Sequence, residues 1–79
     1  MSMREVTVYT RAGCHLCEDA CALLARYGLQ PKLVDVDAQD ELAAQYGASV
    51  PVVEIDGKVR FRGRVDETLL VRILRGSGA

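Results

Sequence analysis

The stretch EVTVYTRAGCHLCEDACALLARYG, residues 5–28, decides the fold because its hydrophobic period changes within a few residues. Residues 5–10 are rich in β-branched and aromatic side chains and predict a strand. From about residue 15 the apolar residues recur at helical spacing, which predicts a helix that ends at Gly28. Its expected apolar face comprises Leu16, Ala20, Leu23, Leu24 and Tyr27.

The segment that follows predicts a second strand and a second helix. Residues 31–38, PKLVDVDA, have strand composition and begin with a proline that need not donate to a ladder. Asp37 is the expected N-cap of a short helix over residues 38–46, and Gly47 is the expected terminator.

The last third of the chain predicts a hairpin and a third helix. The dipeptide Asp56–Gly57 separates two runs of strand composition, VPVVEI and KVRFR, and is a strong hairpin signal. On the second run, alternation predicts one cationic face and one buried face: Lys58, Arg60, Arg62 and Arg64 against Val59, Phe61, Gly63 and Val65. Asp66 is expected to cap a helix that ends at Gly76 and buries Leu69, Leu70, Ile73 and Leu74.

The resulting order, β-α-β-α-β-β-α, predicts an α/β fold with a four-stranded mixed sheet and helices on both faces. The first strand–helix–strand unit makes a parallel pair, and the hairpin adds antiparallel strands. Open sheets of this kind bind ligands beyond the carboxyl ends of their strands. The segment GCHLC, residues 13–17, follows the first strand directly and therefore lies where chemistry is expected.

Composition restricts the class of protein. Seventy-nine residues predict one domain, 1–79, with a frayed tail at about 76–79. A net charge of −1 argues against broad nucleic-acid binding, and no apolar run is long enough for a membrane span. The polar start enters a strand at once, which is unlike a signal peptide, so a reducing cytoplasm is the expected compartment.

Two cysteines at the predicted start of the first helix are the candidate reactive groups. Cys14 lies where unpaired peptide N–H groups favour an anion, and the thiolate is the reactive form of cysteine. Cys17, one turn further, is placed to close a disulfide with it, so Cys14 is the expected nucleophile and Cys17 the resolving thiol. His15 and Arg11 are candidate positive contacts for the site. Buried packing remains the alternative, because free cysteine behaves as a small apolar residue, although residues 14 and 17 bracket the helix start instead of filling its apolar stripe.

The third cysteine and the histidine raise the question of metal. Cys14, His15, Cys17 and Cys21 could supply four ligands, but neighbours on one helical turn cannot all point at one ion. No metal site within one chain is therefore expected, and Cys21 is assigned to packing or to a secondary oxidation site. A cluster shared between two subunits stays open.

With these residues in place, YTRAGCHLCEDA, residues 9–20, resembles the glutaredoxins of the thioredoxin superfamily, and more closely a small bacterial group with a Gly-Cys-His-Leu-Cys-Glu motif. The resemblance extends over nearly the whole chain and implies a thioredoxin-like (glutaredoxin) fold. It implies that Cys14 and Cys17 form the dithiol and that Arg11 holds the glycyl carboxylate of glutathione.

The resemblance also assigns the loops around the dithiol. Ser49, Val50 and Pro51 match the Thr-Val-Pro motif, which implies a cis proline and a Val50 backbone that pairs with the substrate. Gly63 and Asp66 match Gly-Gly-x-x-Asp, which implies a site for the γ-glutamyl carboxylate. Arg62 departs from the motif by replacing its first glycine, so it either obstructs glutathione or binds its carboxylate.

The sequence therefore predicts a monomeric thiol–disulfide oxidoreductase of glutaredoxin-like type, without cofactor, that reduces protein or glutathione mixed disulfides. Glutathione is a candidate co-substrate, and a flavoprotein reductase is the alternative electron source. Two other classes remain: a non-enzymatic binding module on a thioredoxin fold, and an iron–sulfur cluster carrier as a cluster-bridged dimer.

Overall fold

The computed structural model describes residues 4–76 and has the element order that the sequence predicts. The elements are β1 Val6–Thr10, α1 His15–Arg26, β2 Lys32–Asp35, α2 Asp40–Tyr46, β3 Val52–Ile55, β4 Lys58–Arg62 and α3 Glu67–Leu74. Of the predicted frayed tail, residues 77–79 lie outside the described part. Gly76 is described, and its N–H donates to the Ile73 carbonyl at 3.0 Å.

The four strands form one mixed sheet in the order β2-β1-β3-β4. β1 pairs with β2 in parallel and with β3 antiparallel, and β3 pairs antiparallel with β4. Consequently the carboxyl end of β1, the amino end of β3 and the carboxyl end of β4 meet at one end of the sheet. This is the end at which the two candidate cysteines lie.

Both faces of the sheet are covered, which confirms the predicted layering. On one face α1 and α3 pack on a cluster of buried side chains: Val6, Val8, Leu24, Val53, Ile55, Phe61, Leu70 and Ile73. On the other face the cluster around α2 comprises Val36, Tyr46 and Val52, with Tyr9, Leu42, Val50 and Val59 packed against it.

The second strand is shorter than predicted. β2 ends at Asp35, whose carboxylate accepts the Asp37 N–H at 2.9 Å and so caps a short 3-10 helix, Val36–Ala38. The predicted cap at Asp37 is wrong, because α2 begins after Gln39, which makes no side-chain capping bond. The Asp37 carboxylate is instead bound by Arg11, which is distant in sequence.

The apolar face of α1 is rotated relative to the prediction. Cys17, Ala20 and Leu24 are buried, whereas Leu16 is 42% exposed and Tyr27 37% exposed. Cys17 therefore belongs to the apolar stripe, and the expectation that it lies outside that stripe is wrong. In α3, the predicted burial of Leu69 is likewise wrong, since its exposed fraction is 42%.

The local turn and capping predictions in the last third are confirmed. Asp56 and Gly57 both have positive φ, 53° and 84°, as a tight hairpin turn requires. The Asp66 carboxylate accepts the Leu69 N–H at 3.1 Å and caps α3.

A β-bulge overturns the predicted alternation of β4. Val53 pairs with Phe61 and Glu54 with Val59, which leaves Arg60 as an extra residue. Because a bulge shifts the strand by one residue, side chains two apart no longer share a face. Phe61 packs on the α1 and α3 face and Val59 on the α2 face.

Candidate active site

The sheet brings the predicted site segments together at one end. Tyr9 is paired with Val52, and Val52 with Arg62, so the chain leaving β1, the chain entering β3 and the chain leaving β4 are neighbours. The loop that leaves β1 carries Cys14, and the segment that enters β3 carries Pro51.

Cys14 is the N-cap of α1, half-buried and with extended backbone angles. Its Sγ accepts the Cys17 N–H at 3.2 Å, and its own N–H donates to the Arg11 carbonyl at 3.2 Å. A sulfur at this position faces the unpaired peptide N–H groups of the first turn, which stabilise negative charge on it. The predicted start of the helix at Cys14 is confirmed.

Cys17 differs sharply from Cys14 in its environment. Its side chain is 4% exposed. Burial, together with the hydrogen bond to Cys14, raises the pKa of Cys17 to about 11. At neutral pH the inner sulfur is therefore a thiol, while the outer sulfur is the one that solvent and peptide dipoles reach.

Cys21 lies on the same side of α1. All three thiols are free, and all three line a cavity of about 320 Å³ that Leu33 of β2 also borders. Cys21 is half-buried, and burial raises its pKa. Within residues 4–76 no group of three or more His, Cys, Asp or Glu side chains is arranged to hold a metal ion, and His15 is exposed.

Arg11 connects three segments around the dithiol. Its guanidinium binds Asp37 through Nε at 2.9 Å and Nη2 at 3.0 Å, and Nη1 donates to the Gly47 carbonyl at 3.1 Å. The hydrogen bond and charge of Asp37 raise the pKa of Arg11. The loop that carries Cys14 is thus tied both to the end of β2 and to the chain that leads to Pro51.

Glycine is required at position 47, where Arg11 contacts the end of α2, because a side chain would not fit and not because of the backbone angles. Its φ is −56°, which any residue adopts. A Cβ at Gly47 would lie 2.7 Å from Arg11 Nη2 and closer still to the Ala43 carbonyl oxygen. Only a residue without a side chain lets the guanidinium lie against this turn.

The loop that enters β3 has the cis peptide bond that the resemblance implies. The Val50–Pro51 peptide bond is cis. The Pro51 carbonyl accepts the Gly63 N–H at 2.8 Å, which holds the chain leaving β4 beside it, and Gly63 has a φ of 82°. The substrate contacts that the resemblance assigns to Val50, Pro51, Gly63 and Asp66 stay a prediction.

Arg62, which stands where the resembling family has glycine, lies over an aromatic ring. Its guanidinium carbon is 5.7 Å from the centroid of Tyr46. Tyr46 in turn packs on Tyr9 with ring centroids 4.6 Å apart, and Tyr9 donates its hydroxyl proton to Glu54 at 3.3 Å. Arg62 is therefore directed over the α2 face next to Pro51.

Sequence reasoning missed the roles of Asp37, Gly47 and Tyr46 at this end of the sheet. Asp37 was interpreted as a helix cap and contacts Arg11 instead. Gly47 ends α2 as predicted, and its carbonyl also accepts a hydrogen bond from Arg11. A local pattern holds no signal for such contacts, because the partners are 26 and 36 residues apart.

A four-stranded mixed sheet, three helices, two cysteines at the start of the first helix and a cis proline directly before the third strand define a member of the thioredoxin superfamily. More specifically, residues 5–75 match the family model of the glutaredoxin-like domain (DUF836), and the chain belongs to this glutaredoxin-like family.

Relatives of known sequence and structure agree with this assignment. An uncharacterised protein of Mycobacterium tuberculosis is 34% identical over 76 residues, covering 85% of this chain and 78% of the relative. A structure from X. campestris is 32% identical with a TM-score of 0.76, covering 90% of this chain and 96% of that one. The glutaredoxin of Brucella melitensis is 29% identical with a TM-score of 0.66, covering 98% of this chain and 86% of that one.

Within residues 4–76 no helix has the length and apolar character needed to cross a membrane.

Proposed function

We propose that this protein is a thiol–disulfide oxidoreductase of glutaredoxin-like type in which Cys14 attacks and Cys17 resolves. The observation that carries the proposal is the inequality of the two sulfurs. Cys14 Sγ caps a helix and accepts the Cys17 N–H at 3.2 Å, whereas the Cys17 thiol is buried with a pKa of about 11. Cys14 is the sulfur that a substrate can reach at the end of the helix, and Cys17 stays protonated until it is needed.

The reaction transfers two electrons from the dithiol to a disulfide RS–SR. The Cys14 thiolate attacks one sulfur, forms a Cys14–SR mixed disulfide and releases RS⁻. The Cys17 sulfur then attacks Cys14 Sγ, the Cys14–Cys17 disulfide forms, and the second RS⁻ leaves and takes up the proton from Cys17. The hydrogen bond between the Cys17 N–H and Cys14 Sγ holds the two residues in the neighbourhood that this second step needs.

In this proposal the residues around the dithiol bind the substrate. The backbone of Val50, set by the cis bond to Pro51, pairs with the substrate, and Gly63 and Asp66 line its far side. Arg11 has five N–H donors, of which Asp37 and Gly47 occupy three, so a ligand carboxylate would use the remainder. The substrates are protein disulfides or glutathione mixed disulfides, and the protein acts as a monomer in a reducing compartment such as the cytoplasm. Glutathione as reductant is supported by relatives that are named glutaredoxins.

The proposal is tested by trapping. Cys17→Ser protein is expected to accumulate a mixed disulfide on Cys14 when it is mixed with glutathione disulfide or a cell extract, as seen by intact mass. Cys14→Ser protein is the matched control and should accumulate none at residue 17. If Cys17→Ser traps nothing from either source, the oxidoreductase assignment is wrong, and a binding module on this fold becomes the better description.

The electron source is tested separately on oxidised wild-type protein. Reduction by glutathione alone would support the glutaredoxin-like reaction. Reduction only by a flavoprotein reductase with its nicotinamide donor would retain the dithiol mechanism and exclude glutathione as the reductant.

A further inference from the structure

A cavity of about 320 Å³ lies between α1 and the β2 edge of the sheet. Its described lining residues belong to the loop 10–13, to the side of α1 that carries Cys14, Cys17 and Cys21, and to β2 through Leu33. The volume is at the lower end of the range of small-ligand pockets in proteins. Because Cys14 borders this cavity, a group that is attached to the Cys14 sulfur can enter it.

Leu33 gives the cavity an apolar outer wall. Its side chain is 60% exposed, the largest exposed fraction of any large apolar side chain in residues 4–76. Its pairing partner in β1, Val8, is 0% exposed and belongs to the cluster beneath α1. The helix therefore covers β1 but not β2, which is the edge strand, and the cavity is the gap that remains.

Two buried or half-buried sulfurs form the inner wall. Cys17 is 4% exposed, and Cys21 packs against the cluster beneath α1. Free cysteine behaves as a small apolar residue. Burial raises the pKa of both thiols, so the inner wall is uncharged at neutral pH.

The polar groups of the lining do not favour a polar or anionic occupant. The N–H groups of Cys14, Cys17 and Glu18 are already bonded, to the Arg11 carbonyl, Cys14 Sγ and the Cys14 carbonyl. The Arg11 guanidinium is paired with Asp37, whereas Glu18 is exposed and its charge repels an anion. A polar group would lose water here without gaining these N–H donors, and an apolar group has no such loss.

We propose that this cavity binds a bulky apolar side chain next to the cysteine of a polypeptide disulfide, which makes polypeptides with such a neighbour the preferred substrates. The inference rests on the proposed function and names its substrate class. A polypeptide fits because the cavity opens at the edge of the sheet, where the chain can continue past the bound residue. Glutathione has no apolar side chain, so its reaction should not depend on this cavity.

The chemical step is unchanged. Cys14 attacks one sulfur of the substrate disulfide and releases RS⁻. Cys17 then attacks Cys14 Sγ, closes the disulfide and releases the second RS⁻, which takes up the proton from Cys17. The substrate disulfide is reduced by the two electrons that the dithiol loses.

The test uses three neutral peptide disulfides that differ only in the residue beside cysteine. These are the symmetrical disulfides of acetyl-Gly-Cys-Gly-amide, acetyl-Leu-Cys-Gly-amide and acetyl-Gly-Cys-Leu-amide. Reduced protein is mixed anaerobically with each in excess, and its oxidation is followed by acid quenching, alkylation and intact mass. Each rate constant is divided by that of dithiothreitol with the same disulfide, which corrects for intrinsic reactivity. Wild-type protein should react about fivefold faster with the better leucine peptide than with the glycine peptide, the gain expected when roughly half of a leucine side chain leaves water.

Three variants locate this preference in the structure. Leu33→Ser removes the apolar outer wall and should lower the preference for leucine to below about twofold. Leu69→Ser is the matched control, because Leu69 is 42% exposed on α3 and outside the cavity, and it should keep the wild-type preference. Cys21→Leu fills the cavity from its inner wall and should lower the preference as well. Leu33→Ser and Cys21→Leu should both reduce glutathione disulfide at the wild-type rate.

Each outcome decides the proposal. A wild-type preference below about twofold, or an equal effect of Leu69→Ser, would overturn the assignment of the cavity and leave the oxidoreductase assignment intact. An equal loss for Leu33→Ser with the leucine peptide and with glutathione disulfide would overturn it too, since Leu33 would then affect the reaction in general. If wild-type protein is oxidised by none of these disulfides, the proposed function itself fails and this inference fails with it.

Folding of the variants is checked independently. Thermal midpoints within about 3 °C of wild type show that Leu33→Ser and Leu69→Ser, both at exposed positions, are folded. If Cys21→Leu is unfolded because the larger side chain does not fit, the comparison of Leu33→Ser with Leu69→Ser decides alone.

Discussion

The inequality of Cys14 and Cys17 gives a quantitative prediction for alkylation at pH 8. The pKa of Cys17 is raised from 9.0 to about 11, mainly by burial, so its thiolate fraction falls about a hundredfold. A thiolate of higher pKa is intrinsically more nucleophilic, which offsets about tenfold of this loss. Ionisation alone should therefore slow Cys17 about tenfold relative to an unperturbed cysteine. Its 4% exposure slows it further.

The assay is a short pulse of limiting iodoacetamide on the reduced protein, quenched with acid. Fragmentation mass spectrometry then assigns the label to Cys14, Cys17 or Cys21, which lie in one tryptic peptide, residues 12–26. The same pulse on urea-unfolded protein supplies the intrinsic rate of each cysteine under identical conditions. We expect Cys17 to be protected at least tenfold by folding and Cys14 to carry most of the label. Protection of Cys17 below about threefold would refute the reasoning, because neither its raised pKa nor its burial could then be correct.

Three further predictions follow from the same contacts. Because the folded pKa of Cys17 lies above its unfolded value, reduced protein should keep its full stability below about pH 9. Cys17 should then contribute a loss of about 1.4 kcal/mol per pH unit towards pH 11. In urea titrations Cys17→Ala should make the slope shallower by that amount, and the rest of the slope belongs to Cys21, Tyr9 and Tyr27, whose pKa values are also raised. Leu24→Ala removes a side chain that is 0% exposed and should cost about 3 to 5 kcal/mol of unfolding free energy; a loss below about 1 kcal/mol would contradict the described core. Gly47→Ala places a Cβ against Arg11 and the preceding helix and should cost about 1 to 3 kcal/mol of unfolding free energy. Ala48→Gly, at an exposed position, is the control. An unchanged urea midpoint for Gly47→Ala would show that Arg11 does not pack closely against residue 47.

Local sequence chemistry predicted the elements of this fold well wherever one residue and its near neighbours decide the outcome. The hairpin at Asp56–Gly57 needs two positive φ angles, which these residues tolerate, and the cap of α3 needs only the Asp66 carboxylate and an N–H three residues on. The start of α1 at Cys14 is of the same kind. The cis bond before Pro51 was predicted by resemblance alone, since most bonds of this type are trans.

The errors occur where a distant partner competes for a side chain or a face. Asp37 has the composition of a helix cap, but a bidentate ion pair with Arg11 occupies its carboxylate. Arg60 fits an alternating strand until a bulge makes it an extra residue, and Val59 and Phe61 then lie on opposite faces. Periodicity cannot reveal these outcomes, because both depend on pairing between segments.

By itself the sequence determined the order of strands and helices, the two-faced sheet and the presence of a dithiol at a helix start, because hydrophobic period and capping chemistry are local properties. The tertiary structure decided how exposed each sulfur is and which groups surround it. Whether a thiol is buried, and which charges stand near it, depends on how α1 rotates onto the sheet and on where β2 and β4 end. The rotation that buries Cys17 and leaves Leu16 exposed gives two neighbouring cysteines different environments, a half-buried Cys14 and a buried Cys17.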